Sequence, residues 1–180
     1  MKNTAIFIIA MVVAAAAGYG LQQMISSDTP MPRQQQSEVI GTKRPEFAMI
    51  DIHGQLRNIK DFDGQVILLN FWATWCPPCL KEIPDFIEVQ EEFADNGFQI
   101  VGVAVENEED VKHFAEEMGM NYPVMAGEME AIELARRYGN SMGALPFSAI
   151  FDQSGPITHT FTGELSKSRL KAILKDLDIG

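Results

Sequence analysis

The chain has only 2 cysteines, 3 histidines and 9 prolines in 180 residues, and each scarcity excludes a class of protein. Two cysteines cannot staple a small scaffold with several disulfides, nor can they supply a four-thiolate zinc site within one chain. Nine prolines exclude a collagen, and 46% apolar with 22% charged residues excludes a wholly disordered chain. Positive charge is short as well. Fourteen Lys plus Arg stand against 25 Asp plus Glu, a formal net charge of −11, which argues against a non-specific hold on nucleic acid or on an anionic membrane surface. At about 150 residues per domain, the length allows one domain with an appendage and no second substantial domain.

The appendage is N-terminal. After Lys2, residues 4–21 form an apolar stretch of 18 residues, and no charge returns until Asp28. One positive charge ahead of such a stretch is the order of an export signal. Its length just suffices to span a bilayer, which favours an uncleaved anchor with Lys2 on the cytoplasmic side, while the small residues Ala15, Ala16 and Ala17 leave a cleavage site open. Residues 1–24 are therefore read as a signal-anchor or signal peptide. Residues 25–44, rich in Ser, Gln and Pro, read as a flexible tether, and 45–180 as the folded domain. Either fate of the N-terminus places that domain outside the cytoplasm.

Within the domain, apolar runs alternate with helical periodicity. Residues 47–52 read as a short edge strand and 58–62 as a turn or single helical turn. The run 66–72 is apolar apart from Asn70, the mark of a strand buried on both faces. A long helix follows, with Ile83, Phe86, Ile87, Gln90, Phe93 and Ala94 facing inward, Glu88, Glu91, Glu92 and Asp95 outward, and Gly97 ending it. A second central strand is expected over 98–105, a helix over 108–118, a short strand at 123–125 and a helix over 128–138. The period then changes to two, giving a hairpin of 147–151 and 157–161, and Ser166 caps a closing helix. This order gives a three-layer α/β domain with a mixed central sheet flanked by helices, its central strand pair parallel and joined right-handedly through the cysteine-bearing helix.

Both cysteines fall where the first buried strand meets its helix, in Trp75-Cys76-Pro77-Pro78-Cys79. A CxxC at a helix start brings the sulfurs within disulfide reach, and unpaired first-turn amides stabilise a thiolate at the first. Cys76 is thus expected to be exposed and nucleophilic, with Cys79 shielded one turn in. Pro77 and Pro78 suit early helical positions and stiffen the loop between the sulfurs. An inert disulfide, half of an intermolecular zinc site and a copper-carrier site remain open alternatives. So short a loop gains little from a staple, and His53, His113 and His159 do not obviously converge on a metal.

The segment Leu69-Asn70-Phe71-Trp72-Ala73-Thr74-Trp75-Cys76-Pro77-Pro78-Cys79, followed by Lys81-Glu82-Ile83-Pro84, closely resembles the thioredoxin-like family of membrane-tethered or periplasmic bacterial thiol-disulfide oxidoreductases of the TlpA and ResA type. The resemblance covers roughly residues 45–177. It implies a thioredoxin-like fold, attack on a partner disulfide by Cys76 and resolution by Cys79. It also implies a glutamate beside the site at Glu82, and a cis-proline facing the disulfide at Leu145-Pro146. Thioredoxin itself has a buried aspartate where Asn70 stands, so Asn70 cannot be that proton relay. Two features depart from the family pattern: the stretch 138–145 is about two residues longer than the commonest spacing, and Phe147-Ser148 replaces the usual threonine pair.

The catalytic set is accordingly Cys76, Cys79, Glu82 and Pro146, and partner contact is assigned to Trp75, Pro77, Pro78 and Leu145. Trp72 is divided between core and site, whereas the resemblance favours Trp75 as a partly exposed lid. Glu82 has a competing reading as one more solvent-facing carboxylate; its position three residues after Cys79 lets it approach the resolving thiol and handle a proton. The expected reaction is thiol-disulfide exchange with protein disulfides or dithiols, without organic cofactor or metal and without nucleic acid. The family implies reduction in the periplasm, with apocytochrome or metallochaperone thiols among the substrates and a transmembrane thiol-disulfide carrier as electron donor. An oxidant or isomerase uses the same chemistry. A non-catalytic thioredoxin-like adaptor is the reading from another class, and a buried, unreactive Cys76 would favour it.

Overall fold

The computed structural model describes residues 39–180; the apolar stretch 4–21 and most of the tether lie outside the described residues. Strand β3 (Val66–Trp72) is buried along its whole length, as its run, apolar but for Asn70, requires. It pairs in parallel with β4 (Phe98–Ala104), from Val66 opposite Phe98 to Trp72 opposite Ala104. On its other side it pairs antiparallel with β6 (Phe147–Phe151), placing Asn70 opposite Ser148 and Phe71 opposite Phe147. With β5 (Val124–Ala126) and β7 (Ile157–Thr162) at the edges, the sheet runs β5-β4-β3-β6-β7 and is mixed. The parallel β3–β4 pair is joined through α1 (Pro77–Phe93), so the three-layer α/β expectation holds.

Alternation along β3 divides the core. Val66, Leu68 and Trp72 face a cluster that contains Ile83, Phe86 and Val89 of α1, Val111 and Ala115 of α2 (Glu108–Met118), and Leu170 and Leu174 of α4 (Lys167–Asp176). Ile67, Leu69 and Phe71 face the opposite cluster, with Ala131 and Leu134 of α3 (Met129–Arg137) and the ring of Tyr138. Helix boundaries follow local chemistry. Asn107 caps α2 by accepting the Asp110 amide at 3.1 Å, and Gly119 ends it at φ 66°, a conformation that glycine adopts without steric cost.

Several local expectations need correction. The strand expected over 47–52 is β1 (Ala48–Ile50), but it is no edge of the main sheet: it pairs antiparallel with β2 (Leu56–Asn58), a three-residue strand too short for alternation to reveal, in a separate two-stranded sheet. On α1, Val89 is buried and Ala94 is exposed, because the α-helix stops at Phe93 and a 3-10 turn, Ala94–Asn96, leads to Gly97. Ser166 occupies the N-cap of α4 without a capping side-chain bond; its hydroxyl lies 3.3 Å from that of Ser168. Residues 39–44, tether by composition, run along the hairpin: Gly41 donates to the Ile157 carbonyl at 2.8 Å, and Ile157 donates back to Thr42 at 2.9 Å.

Candidate active site

The carboxyl end of β3 and the amino end of β6 lie side by side, since Phe71 faces Phe147 across the ladder. The cysteine loop leaves β3 at that end, and the Leu145–Pro146 peptide, which is cis, enters β6 there. The loop is held at its root. Trp72 accepts the Val105 amide at 2.8 Å, and the Glu106 carboxylate takes both the Thr74 amide at 2.9 Å and the Thr74 hydroxyl at 2.8 Å.

Cys76 is the N-cap of α1, with extended backbone at φ −99° and ψ 99°, and its carbonyl accepts the Leu80 amide at 3.2 Å. Pro77 and Pro78 fill the first two helical positions, as the spacing suggests, yet neither has an N–H. The first-turn amides available to a Cys76 thiolate are therefore fewer than at an ordinary helix start, with that of Cys79 foremost. The two cysteines are disulfide-bonded, their Cα atoms 5.3 Å apart. Cys76 is only 4% exposed and Cys79 is fully enclosed. The order of access agrees with expectation, but the open exposure expected of Cys76 is not found. In the oxidised form its sulfur is bonded to Cys79 within the apolar cluster on the α1 side.

The other expected residues differ in exposure. Trp75 is 63% exposed, while Trp72 is wholly buried and its indole nitrogen has no hydrogen-bond partner, so the two tryptophans separate into a surface and a core residue. Pro77 is exposed and Pro78 half-buried. Leu145 is half-buried and packs against both core clusters. Pro146 is buried, and its carbonyl accepts the Gly163 amide at 2.8 Å.

Glu82 is not a surface carboxylate. It is 1% exposed, whereas Glu88, Glu91 and Glu92 on the same helix are exposed, with Glu88 and Glu92 paired to Lys167 and Lys171. Its Oε1 accepts from the Asn70 amide at 2.8 Å and its Oε2 from the Leu165 backbone amide at 2.9 Å. Asn70 reaches further, donating from the same nitrogen to the Ser148 hydroxyl at 3.1 Å. Burial raises the Glu82 carboxyl to about 7; the Leu165 and Asn70 hydrogen bonds oppose the shift, and the charge of Glu164 adds to it. A carboxyl with that proton affinity exchanges protons near neutrality, which an exposed glutamate does not.

Asn70, Ser148 and Glu106 are the polar residues that the sequence reading undervalued. A lone amide inside a buried apolar strand signals a committed hydrogen-bond partner, and here the partner is Glu82. Glu106 carried no such signal, because it follows β4 among other acidic residues. The histidines stand apart: His113 is 84% exposed, and His159 stacks on Phe161. Among the described residues no three His, Cys, Asp or Glu side chains gather where they could hold a metal ion. No helix there is long and apolar enough to cross a membrane.

Comparison with known proteins agrees with this geometry. The Redoxin family profile matches residues 40–174. "Thiol-disulfide oxidoreductase ResA" of Bacillus anthracis is 32% identical over 179 residues, covering 98% of both chains; its namesake in Geobacillus thermodenitrificans is 28% identical over 171 residues, covering 94% of this chain and 92% of that one. Among solved structures, a thioredoxin-family thiol:disulfide interchange protein from Chlorobium tepidum TLS superposes with a TM-score of 0.70 at 34% identity, over 76% of this chain and 96% of its own. With its cysteine pair bonded at a helix start in a mixed sheet, the chain belongs to the Redoxin family as a thioredoxin-fold thiol-disulfide oxidoreductase, homologous to proteins of the TlpA, ResA and DsbE type.

Proposed function

We propose that this enzyme reduces disulfides of exported proteins from the outer side of the cytoplasmic membrane. The observation that carries the reading is the Cys76–Cys79 pair at the start of a helix whose next turn buries an ionisable carboxyl, Glu82. In the reduced enzyme, the Cys76 thiolate attacks one sulfur of the partner disulfide, forms a mixed disulfide and expels the other sulfur as a thiolate. Cys79 then loses its proton and attacks Cys76, so the Cys76–Cys79 bond forms, the mixed disulfide breaks and the second partner sulfur leaves. Two electrons pass to the partner, whose two thiolates take up two protons. Glu82 handles the proton of Cys79. Trp75, Pro77, Pro78 and Leu145 line the approach of the partner segment, and Pro146 fixes the backbone facing the sulfurs.

Disulfides formed between the cysteines of an apocytochrome or a metallochaperone suit this reaction as substrates, and a transmembrane thiol carrier suits it as the donor that restores the dithiol. Residues 4–21 act as the anchor, and the alignment with the Bacillus proteins, at 98% of both chains, supports an N-terminal segment common to them. The segment 25–44, whose last residues run along the hairpin, links it to the domain, 45–180. Mass spectrometry of the mature N-terminus tests the anchor: a start near Gly18 would place the enzyme free in the periplasm.

The direction of electron flow is tested by the Cys76–Cys79 reduction potential against glutathione. A reductant falls near that of thioredoxin, about −270 mV, and a value above about −180 mV would make the enzyme an oxidant or isomerase. The low exposure of Cys76 favours the adaptor as the second reading. Cys79→Ala separates the two. An exchanger accumulates mixed disulfides that dissolve in added thiol, an adaptor traps none, and equal trapping by Cys76→Ala would overturn the assigned order of attack.

A further inference from the structure

The polar cluster beside the cysteines contains more than its glutamate. Glu82 projects from α1 toward Asn70 on β3, and Asn70 lies opposite Ser148 on β6, two residues beyond Pro146. All three side chains are essentially enclosed, at 1%, 1% and 0% exposure. Both hydrogens of one amide nitrogen are committed, one to a carboxylate oxygen at 2.8 Å and one to a hydroxyl oxygen at 3.1 Å. With a donor aimed at each carboxyl oxygen, that pattern suits an ionised Glu82, which accepts hydrogen bonds and donates none.

We propose that Asn70 and Ser148 are positioning residues that turn over together when Glu82 takes up a proton, so that the amide and hydroxyl form a two-state hydrogen-bond switch for the glutamate. The argument turns on which partners can adapt. Leu165 contributes a backbone amide at 2.9 Å; it cannot rotate, and it keeps Oε2 an acceptor in both states. The proton therefore belongs on Oε1, where the present Asn70 N–H would oppose an acid O–H donor to donor. Rotating the Asn70 amide by half a turn presents its oxygen instead. That oxygen accepts from the acid, and Ser148, whose hydroxyl is free to rotate, changes from acceptor to donor. Every hydrogen bond among the three side chains survives in either state. A threonine at 148 could act likewise, since it keeps the hydroxyl. An alanine could not.

Among the described residues, Asn70 is the side chain that hydrogen-bonds Glu82. From β3 comes Asn70, and from β6, through Asn70, comes Ser148. From the segment between β7 and α4 come the Leu165 amide and the charge of Glu164, and from the segment before β5 comes Tyr122, buried at 7% exposure, whose own ionisation Glu82 opposes. On its own helix lies the disulfide, three residues back. Removing the Ser148 hydroxyl harms the ionised state more than the protonated one, since it strands an N–H of Asn70, whereas the turned amide oxygen still accepts from the acid.

This inference rests on Glu82 exchanging a proton near neutrality, but its test needs no turnover. Carbon-13 NMR of the Glu82 carboxyl and nitrogen-15 NMR of the Asn70 side-chain amide are followed from pH 5 to 9 in the oxidised full-length chain, in wild type, Ser148→Ala and Ser148→Thr. The expected result has three parts. The Asn70 amide signals move with the same midpoint as the Glu82 carboxyl. Ser148→Ala raises that midpoint by about half a pH unit or more, a threefold change in proton affinity, and Ser148→Thr restores it. Asn70 signals that stay fixed while Glu82 titrates, or a midpoint that Ser148→Ala leaves unchanged or that both variants shift equally, would overturn the switch. Exchange kinetics of Glu82→Gln test the separate question of whether Glu82 serves the reaction, and a null result there would leave the titration result standing.

Discussion

Glu82→Gln provides a test in which the sign and size of the effect both follow from the structure. Burial holds the carboxyl at about 7 in the folded chain against an ordinary value of 4.5, so the folded state binds the proton more tightly than the unfolded one. Between those two values the native protein carries the extra proton, and stability falls as pH rises. The favourable contribution is fully present below pH 4.5 and gone above about pH 7, and the difference amounts to about 3 kcal/mol. Glutamine cannot titrate. Its carboxamide still accepts the Leu165 amide, and a turned Asn70 can accept from it. The variant should therefore lack this loss, and the gap between variant and wild type should widen in favour of the variant by about 3 kcal/mol from pH 4.5 to 8. Urea unfolding of both oxidised proteins across that range measures it. Asp51, whose carboxyl is held low chiefly by its Arg57 hydrogen bond against the opposing effect of burial, contributes equally to both proteins and cancels. Parallel stability curves, with a gap constant to within about 1 kcal/mol, would refute the burial argument for Glu82.

Three further outcomes follow from single contacts. Gly102→Ala would place a Cβ 3.2 Å from the Trp72 indole nitrogen and 3.4 Å from the Tyr122 ring, so a loss of about 1–3 kcal/mol is expected in denaturant unfolding; a change under about 0.5 kcal/mol would show that this corner of the core yields easily. Gln90→Leu strands the Ile100 amide, which Gln90 accepts at 2.6 Å, and should cost about 1–3 kcal/mol and hasten hydrogen exchange at that one amide. Glu106→Ala leaves the Thr74 amide and hydroxyl without their acceptor, so hydrogen exchange at Thr74 should quicken and the loop ahead of Cys76 should loosen, with protection at β4 unchanged.

Legibility in the sequence tracked how local each cause is. The run Val66–Trp72 announced a central strand because burial on both faces favours apolar residues on both, with Asn70 the one exception, and the switch to period two marked the β6–β7 hairpin for the complementary reason. The cysteine pair was equally readable, since CxxC at a strand-to-helix junction is a local pattern. What failed was set by tertiary contact. The β1–β2 sheet is made of three-residue strands that no periodicity reveals, and the pairing of residues 39–44 with the hairpin opposes their linker-like composition. Glu82 stood among four other helix carboxylates, and only the packing of β3, β6 and the segment before α4 distinguishes it from them. The exposure of Cys76 was misjudged because a helix start suggests an open sulfur, whereas in the disulfide the atom is turned toward Cys79.

The division of labour in α1 follows from the same distinction. The helix fixes Glu82 three residues beyond Cys79 by its own geometry, so the placement of the two residues on one helix face is local. The proton affinity of that carboxyl is not local. It is set by enclosure under the sheet, by an amide from β3 and by a backbone N–H from the segment before α4, each reaching it from a distant part of the chain. A substitution in any of those elements can therefore retune the proton affinity of Glu82 without changing its place on the helix that carries the cysteines. Because Asn70 binds Glu82 and Ser148 at once, the strand that Pro146 opens is tied to that carboxyl by side chains as well as by the β-ladder.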